Sequence, residues 1–292
     1  MDYEIWKRSK RIENEFLKSL EKLCNTFAKI ANATGNDQQK YINAMRNFQN
    51  SIEYERYITS AVKRMVTPLG ISNQRTWRMA AKKAAKGKIL YRSLVEELRQ
   101  GGYRIMEGQI IENVSLIKTL PEDIANKVVR DIAEYALQGK RAESIERLIV
   151  DKTNKHSRAS ARLIARTEVS KTSTALTKAR SEQLGIQWYV WRTALDGNRV
   201  RISHQIMEGV LVNWNDPPSP EALAGEKSVG YYHAGNIWNC RCYAEPLLDI
   251  DDVHWPHKVY TNGKITTMKK GDFLQLISVS YTHLRAHETE AD

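Results

Sequence analysis

"GIQWYVWRT", from Gly185 to Thr193, is where the character of this chain turns. Ahead of it, runs of good helix formers are interrupted by few prolines; from Ile186 the residues are aromatic and β-branched, types that suit a pleated, half-buried surface. Two stretches of the same kind follow, "GVLVNW" (Gly209 to Trp214) and "RCYAEPLL" (Arg241 to Leu248). The loops "DGN", "NDPPSPEALAGEKSVG" and "HAGN" separate them. The pattern predicts an α+β protein: a long, predominantly helical N-terminal part followed by a small α+β C-terminal domain with short strands and long loops.

Upstream of the turn, one helical segment is expected over Tyr3 to Ala33, closing on "ATGND", and a second over Gln38 to Val66, ending before "TPLG". A third runs from Asn73 to Gln100 and stops at Gly101-Gly102. Glycine supplies the left-handed conformation that ends helices, and proline cannot continue one. Pro121 to Gln138 has the clearest helical pattern: Pro121 suits the first turn, Ile124, Val128, Ile132 and Tyr135 make one face, and Gly139 stands where a cap belongs. A further helix, Ser157 to Leu184, places Ala165, Val169, Thr172, Leu176 and Ala179 along a narrow seam, read as core packing.

No stretch approaches the roughly 20 apolar residues needed to cross a bilayer, and "MDYEIWKRSK" lacks the apolar centre of a signal peptide, so a cytosolic product without membrane contact is expected. Three cysteines are an odd number, and Cys24 lies far along the chain from Cys240 and Cys242. On a strand the latter two would share a side, but a bridge between them would be strained, so reduced thiols are expected. The stretch "VSYTHLRAHET" (Val279 to Thr289) reads like one frame of a sequencing adapter, and 279–292 is set aside as foreign to the protein. Without its one arginine and three acids the formal net charge rises by two from +11, a balance that favours a polyanionic neighbour or simply solubility.

Between Arg75 and Arg104, basic residues are dense: Arg75, Arg78, Lys82, Lys83, Lys86, Lys88, Arg92 and Arg99 against Glu96 and Glu97. Cations aligned on a helix neutralise phosphates without reading sequence, with Trp77 and Tyr91 available as extra contact area; a solvated helix face explains the same composition. "LDGNRVRISHQIMEG" (Leu195 to Gly209) brings Asp196 in a turn, then Arg199, Arg201 and His204. With His233, Cys240 and Cys242, the segment offers two imidazoles and two thiols, enough ligands for a tetrahedral structural zinc. The plainer alternative buries the cysteines as small apolar residues and leaves the histidines to loop hydrogen bonds. Phosphate-loop, dinucleotide, H-E-x-x-H and G-x-S-x-G signatures do not occur, and an acid, base and metal set of Asp196, His204 and His233 is possible but not demanded by spacing.

Taken together, these motifs resemble those of the phage Mu F-like minor head proteins, the phage head morphogenesis family. The resemblance rests on Ala165-Arg166-Thr167-Glu168 in a helix, a strand around Trp188 and Trp191, and then Asp196, Arg199, Val200, Arg201, His204 and Gly209. It closes with His233-Ala234-Gly235 and Asn239-Cys240-Arg241-Cys242, where Ala234 stands in place of the family's usual Pro. The likeness covers about Thr119 to Asp249, dividing the chain into a helical region 1–118, suited to portal or DNA contact, and a Mu F-like domain 119–278. It implies a non-enzymatic minor capsid protein of a tailed phage or prophage, found in the virion head and, during assembly, in the host cytoplasm. Its partners would be the portal, capsid or scaffolding proteins and, through non-specific backbone contact, double-stranded DNA during packaging or delivery. The alternative is a metal-dependent hydrolase or nuclease built on the Asp/His/Cys group.

Overall fold

The computed structural model of the chain describes residues 3–7, 9–83, 102–138, 145–194 and 200–278. A single 3-10 turn, Tyr3–Trp6, precedes six helices: α1 (Lys10–Thr34), α2 (Gln38–Gln49), α3 (Ile52–Lys83), α4 (Gly102–Lys118), α5 (Leu120–Leu137) and α6 (Ile145–Gln183). Ser9 and Asp37 cap α1 and α2 through side-chain oxygens that accept from the N–H groups of Ile12 and Lys40.

Two expected breaks fall elsewhere. The reading of one helix from Gln38 to Val66 is corrected at Asn50, where α2 ends and Ser51 caps α3 by accepting from the Tyr54 N–H. The stop at "TPLG" does not occur: α3 runs through Pro68, with Met65, Val66 and Leu69 buried around it. Packing outweighs the local penalty there, and Gly70 serves close approach instead of a break, since a Cβ at that position would overlap the Met106 sulfur. The helix expected over Pro121 to Gln138 forms as α5, burying Ile124, Val128 and Ile132; Gly139 lies outside the described residues.

One apolar core draws on α1, α2, α3, α5 and α6 together, from Ile12 and Phe16 through Tyr54, Ile58 and Ile124 to Ala165, Val169 and Leu176. Tyr41 and Tyr54 are fully buried yet satisfied, their hydroxyls meeting Thr153 Oγ1 at 2.7 Å and the Ile117 carbonyl at 2.6 Å.

After Gly185, whose φ of +70° ends the long helix, the chain forms a five-stranded mixed sheet. Its strands are β1 (Trp188–Arg192), β2 (Leu211–Asn213), β3 (Tyr243–Pro246), β4 (His257–Thr261) and β5 (Lys264–Met268), in the order β3-β1-β2-β4-β5. All neighbours are antiparallel except β2 and β4. Strand β1 is buried on both faces, which is why its sequence is continuously apolar. Tyr189 and Trp191 join Val212, Ala244 and Tyr260 on one side; Trp188 and Val190 join Leu211, Val259 and Phe273 on the other. Trp6 meets Trp77 edge-on at 5.1 Å, and with Tyr243 they link the sheet to the helices. No helix among the described residues is long and apolar enough to cross a membrane.

Candidate metal centre

The face of β1 that carries Tyr189 and Trp191 receives two loops. The four-residue helix α7 (Ile202–Gln205) delivers His204, whose ring meets Trp191 edge-on at 5.7 Å. Residues 240–242 arrive just before β3, in irregular backbone rather than on the strand the sequence suggested. Both sulfurs nevertheless converge on one atom: His204 Nδ1 lies 3.6 Å from Cys240 Sγ and 3.4 Å from Cys242 Sγ. All three side chains are buried, at 2–3% exposure, and the three cysteines of the chain are free thiols.

The other imidazole nitrogen is engaged as well. His204 Nε2 lies 3.0 Å from the Tyr232 hydroxyl, which donates to Glu221, 2.7 Å from each carboxylate oxygen. Because the carboxylate can only accept, the Tyr232 oxygen is left to accept from Nε2–H, and Nδ1 is the nitrogen turned to the sulfurs. Glu221 comes from α8 (Pro220–Leu223). Burial and the adjacent Glu221 push the Tyr232 hydroxyl far above its ordinary range, so it stays protonated. In the thiol pair, Cys240 is held below the usual range, first by the hydrogen bond from Cys242 and then by His204. Cys242 is pushed up by the same bond and by burial.

Of the four expected donors, the structure brings three together. His204, Cys240 and Cys242 place one donor atom each within 4.8 Å of one another, the one such group among the described residues, and His233 is outside it. His233 stands instead against Trp214, ring centroids 5.1 Å apart, with Nδ1 3.2 Å from the Tyr189 hydroxyl. That hydroxyl accepts from the Ala234 N–H, a donor that a proline in this position would lack, and so donates to His233. Burial first, and Lys178 second, pull the His233 pKa down to about 4, keeping the ring neutral. The loop is pinned to α6 by Thr174, which donates to the Ala234 carbonyl at 2.7 Å. Gly235, at φ +84°, fits there because a Cβ would come within 3 Å of Thr174 Oγ1, Ser170 Oγ and the Cys242 carbonyl.

The remaining motif residues form a joint between α6 and the cysteine turn. Arg166 donates to Asn239 Oδ1 at 2.6 Å, and Thr167 Oγ1 accepts the Asn239 N–H at 3.0 Å, fixing Asn239 at φ +59°. Glu168 is buried beside Lys171, and burial raises its pKa. Arg201 donates to the Trp238 carbonyl and lies over that indole. Gly209, at φ +75°, donates its N–H to Trp191 and receives His257 on its carbonyl. Arg241 borders the cavity beside the thiols, while Asp196 and Arg199 lie outside the described residues. That cavity measures about 20 Å³ and is lined by Ala194, Val200, Arg201, Asn239 and Arg241 with the three donors. It has room for one water or one ion, since a single water needs roughly 10–15 Å³.

Residues 122–245 match the family described as Phage Mu protein F like protein. Over this segment the chain is similar to the phage Mu F-like family. The match takes in all three donors, the Arg166–Asn239 joint and the His233 loop. An uncharacterized protein of Haemophilus influenzae is 33% identical over 140 residues, which cover 48% of this chain and 29% of the relative. No solved structure matches.

Of the basic residues expected to meet nucleic acid, Arg75, Lys82 and Lys83 are exposed on the last turns of α3 and Arg78 is half-buried. Lys86, Lys88, Arg92 and Arg99, with Tyr91, lie outside the described residues. Trp77 is corrected: it is fully buried against Trp6 and offers no contact area to a partner. Sequence reasoning did not single out Tyr232 and Glu221 in the Mu F-like segment; the one hint was Tyr232 adjoining His233, with nothing to say that it serves His204.

Proposed function

We propose that the chain is a phage head-morphogenesis protein acting as a minor, portal-associated component of the virion head and assisting assembly, DNA packaging or delivery. The observation that carries this reading is the Mu F-like match over residues 122–245. The charge of the molecule agrees with it: a formal +11, with Arg75, Lys82 and Lys83 exposed on one helix, suits non-specific contact with a phosphate backbone. Portal, capsid or scaffolding proteins are the partners, and the host cytoplasm is the place of assembly.

A hydrolase built on the same residues gains nothing from the geometry. His233 faces Tyr189 and stands apart from the His204 group, while Asp196 lies outside the described residues. Co-expression with the portal protein from the same phage genome tests the reading: a complex that co-purifies is expected. Its failure to form across several salt concentrations would overturn portal association.

A further inference from the structure

We infer that His204 Nδ1, Cys240 Sγ and Cys242 Sγ are three protein ligands of a tetrahedral structural Zn²⁺, with solvent from the adjoining cavity as the fourth. The inference concerns the site alone and does not rest on the head-assembly reading.

Distances favour it first. A tetrahedral zinc with Zn–S near 2.3 Å and Zn–N near 2.05 Å sets each sulfur about 3.6 Å from the nitrogen. The two observed separations are 3.6 and 3.4 Å, so both sulfur–nitrogen edges of such a tetrahedron are already near their bonded lengths. A hydrogen-bonded cluster explains this less well, because a single ring nitrogen makes one hydrogen bond along its in-plane direction while two sulfurs approach it about equally. Removing the pair from water as a disulfide is no alternative, since cysteines this close in sequence cannot reach unstrained bridge geometry.

The shell around the donors points the same way. A metal-bound imidazole almost always gives its remaining N–H to a fixed acceptor, and here Tyr232, itself anchored on buried Glu221, accepts from Nε2. Two thiolates neutralise the ion, so the set can be buried without a net charge. As each Zn–S bond forms, any proton on that sulfur leaves to solvent. The cavity of about 20 Å³ leaves a place for one further oxygen. Such a centre staples α7 to the turn before β3.

The full chain, purified without a histidine tag and without chelator, should contain one zinc per molecule by elemental analysis. After chelation, Co²⁺ titration should give tetrahedral d–d bands and a sulfur-to-cobalt charge-transfer band. His204→Ala, Cys240→Ser and Cys242→Ser should abolish both signals, whereas His233→Ala should keep the full complement. Tyr232→Phe should weaken zinc binding about 10–100-fold. Should the ligand variants fail to fold, alkylation of the unmutated chain in mild denaturant, where buried Cys24 begins to react, decides: Cys240 and Cys242 should stay protected until chelator is added. Absence of zinc and of a cobalt spectrum in the unmutated chain, thiols equally reactive with and without chelator, or equal metal loss in His233→Ala and His204→Ala would each overturn the inference.

Discussion

Gly235 and Gly209 both hold positive φ, yet they differ in what surrounds them, and that difference sets what an alanine would cost. At Gly209 nothing lies within 4 Å of an added Cβ, so Gly209→Ala should cost only backbone strain, about 1–2 kcal/mol. At Gly235 the new methyl would meet two hydroxyl oxygens and a backbone carbonyl at 2.7–2.9 Å, so Gly235→Ala should cost about 3 kcal/mol or more. Urea melts of the two variants should separate them, and equal losses would remove the close packing of the His233 loop on α6. His233 adds a pH dependence with a definite sign. Its folded pKa, about 4, lies below the unfolded value of 6.5, so the unfolded chain binds the proton more readily. Stability is therefore full above pH 6.5 and falls as the pH drops toward 4, by about 3 kcal/mol from this group. Chemical denaturation at pH 7 and pH 4.5 should show a smaller loss for His233→Gln than for the unmutated chain. At this scale the residue types of the site were legible but their partners were not. Cys240, Cys242 and His204 stand out by chemistry, while the pairing of His233 with Tyr189 depends on a strand register no local pattern encodes.

Among the elements, α3 is the clearest case of packing overruling local preference. Pro68 lacks the N–H that an interior helical position donates, yet the helix continues because Met65, Val66 and Leu69 are anchored in the core. Pro68→Ala should restore that hydrogen bond and stabilise the chain by about 1–3 kcal/mol, read as a rise in Tm. A lower Tm would mean that the proline shape itself is required. The joint between α6 and the cysteine turn makes a second test. Thr167→Val keeps the shape but leaves the Asn239 N–H without its acceptor, and should cost about 1–3 kcal/mol. Strand β1 was readable because continuous burial demands a continuous apolar run; the break at Asn50 was not, because "QNSIEY" carries a cap, Ser51, without a glycine or proline to announce it.

For the whole molecule, the core crosses the point in sequence at which the Mu F-like resemblance begins. Ala161, Ala165, Val169 and Leu176 of α6 are buried together with Ile12, Phe16, Leu20 and Ile58, side chains that lie far upstream. A fragment 119–278 should therefore expose apolar surface, bind a hydrophobic dye and lack a cooperative melt. A sharp transition in that fragment would show that its own contacts suffice. The fold class followed from composition alone, helices before Gly185 and strands after it. Which helices share a core did not, because amphipathic stripes state that a face is buried without naming what buries it.

The length of α6 has a mechanical corollary. Its 39 residues make a rod of about 58 Å, gripped along its earlier turns by α1 and α5 and along its later ones by the loops that bear Ala234 and Asn239. A continuous rod has no internal pivot, so torque applied to the bundle cannot be absorbed on the way and must reappear as rotation of the sheet. Spin labels at either end should keep a fixed separation under load, and the molecule would then work as a stiff crank instead of a tether.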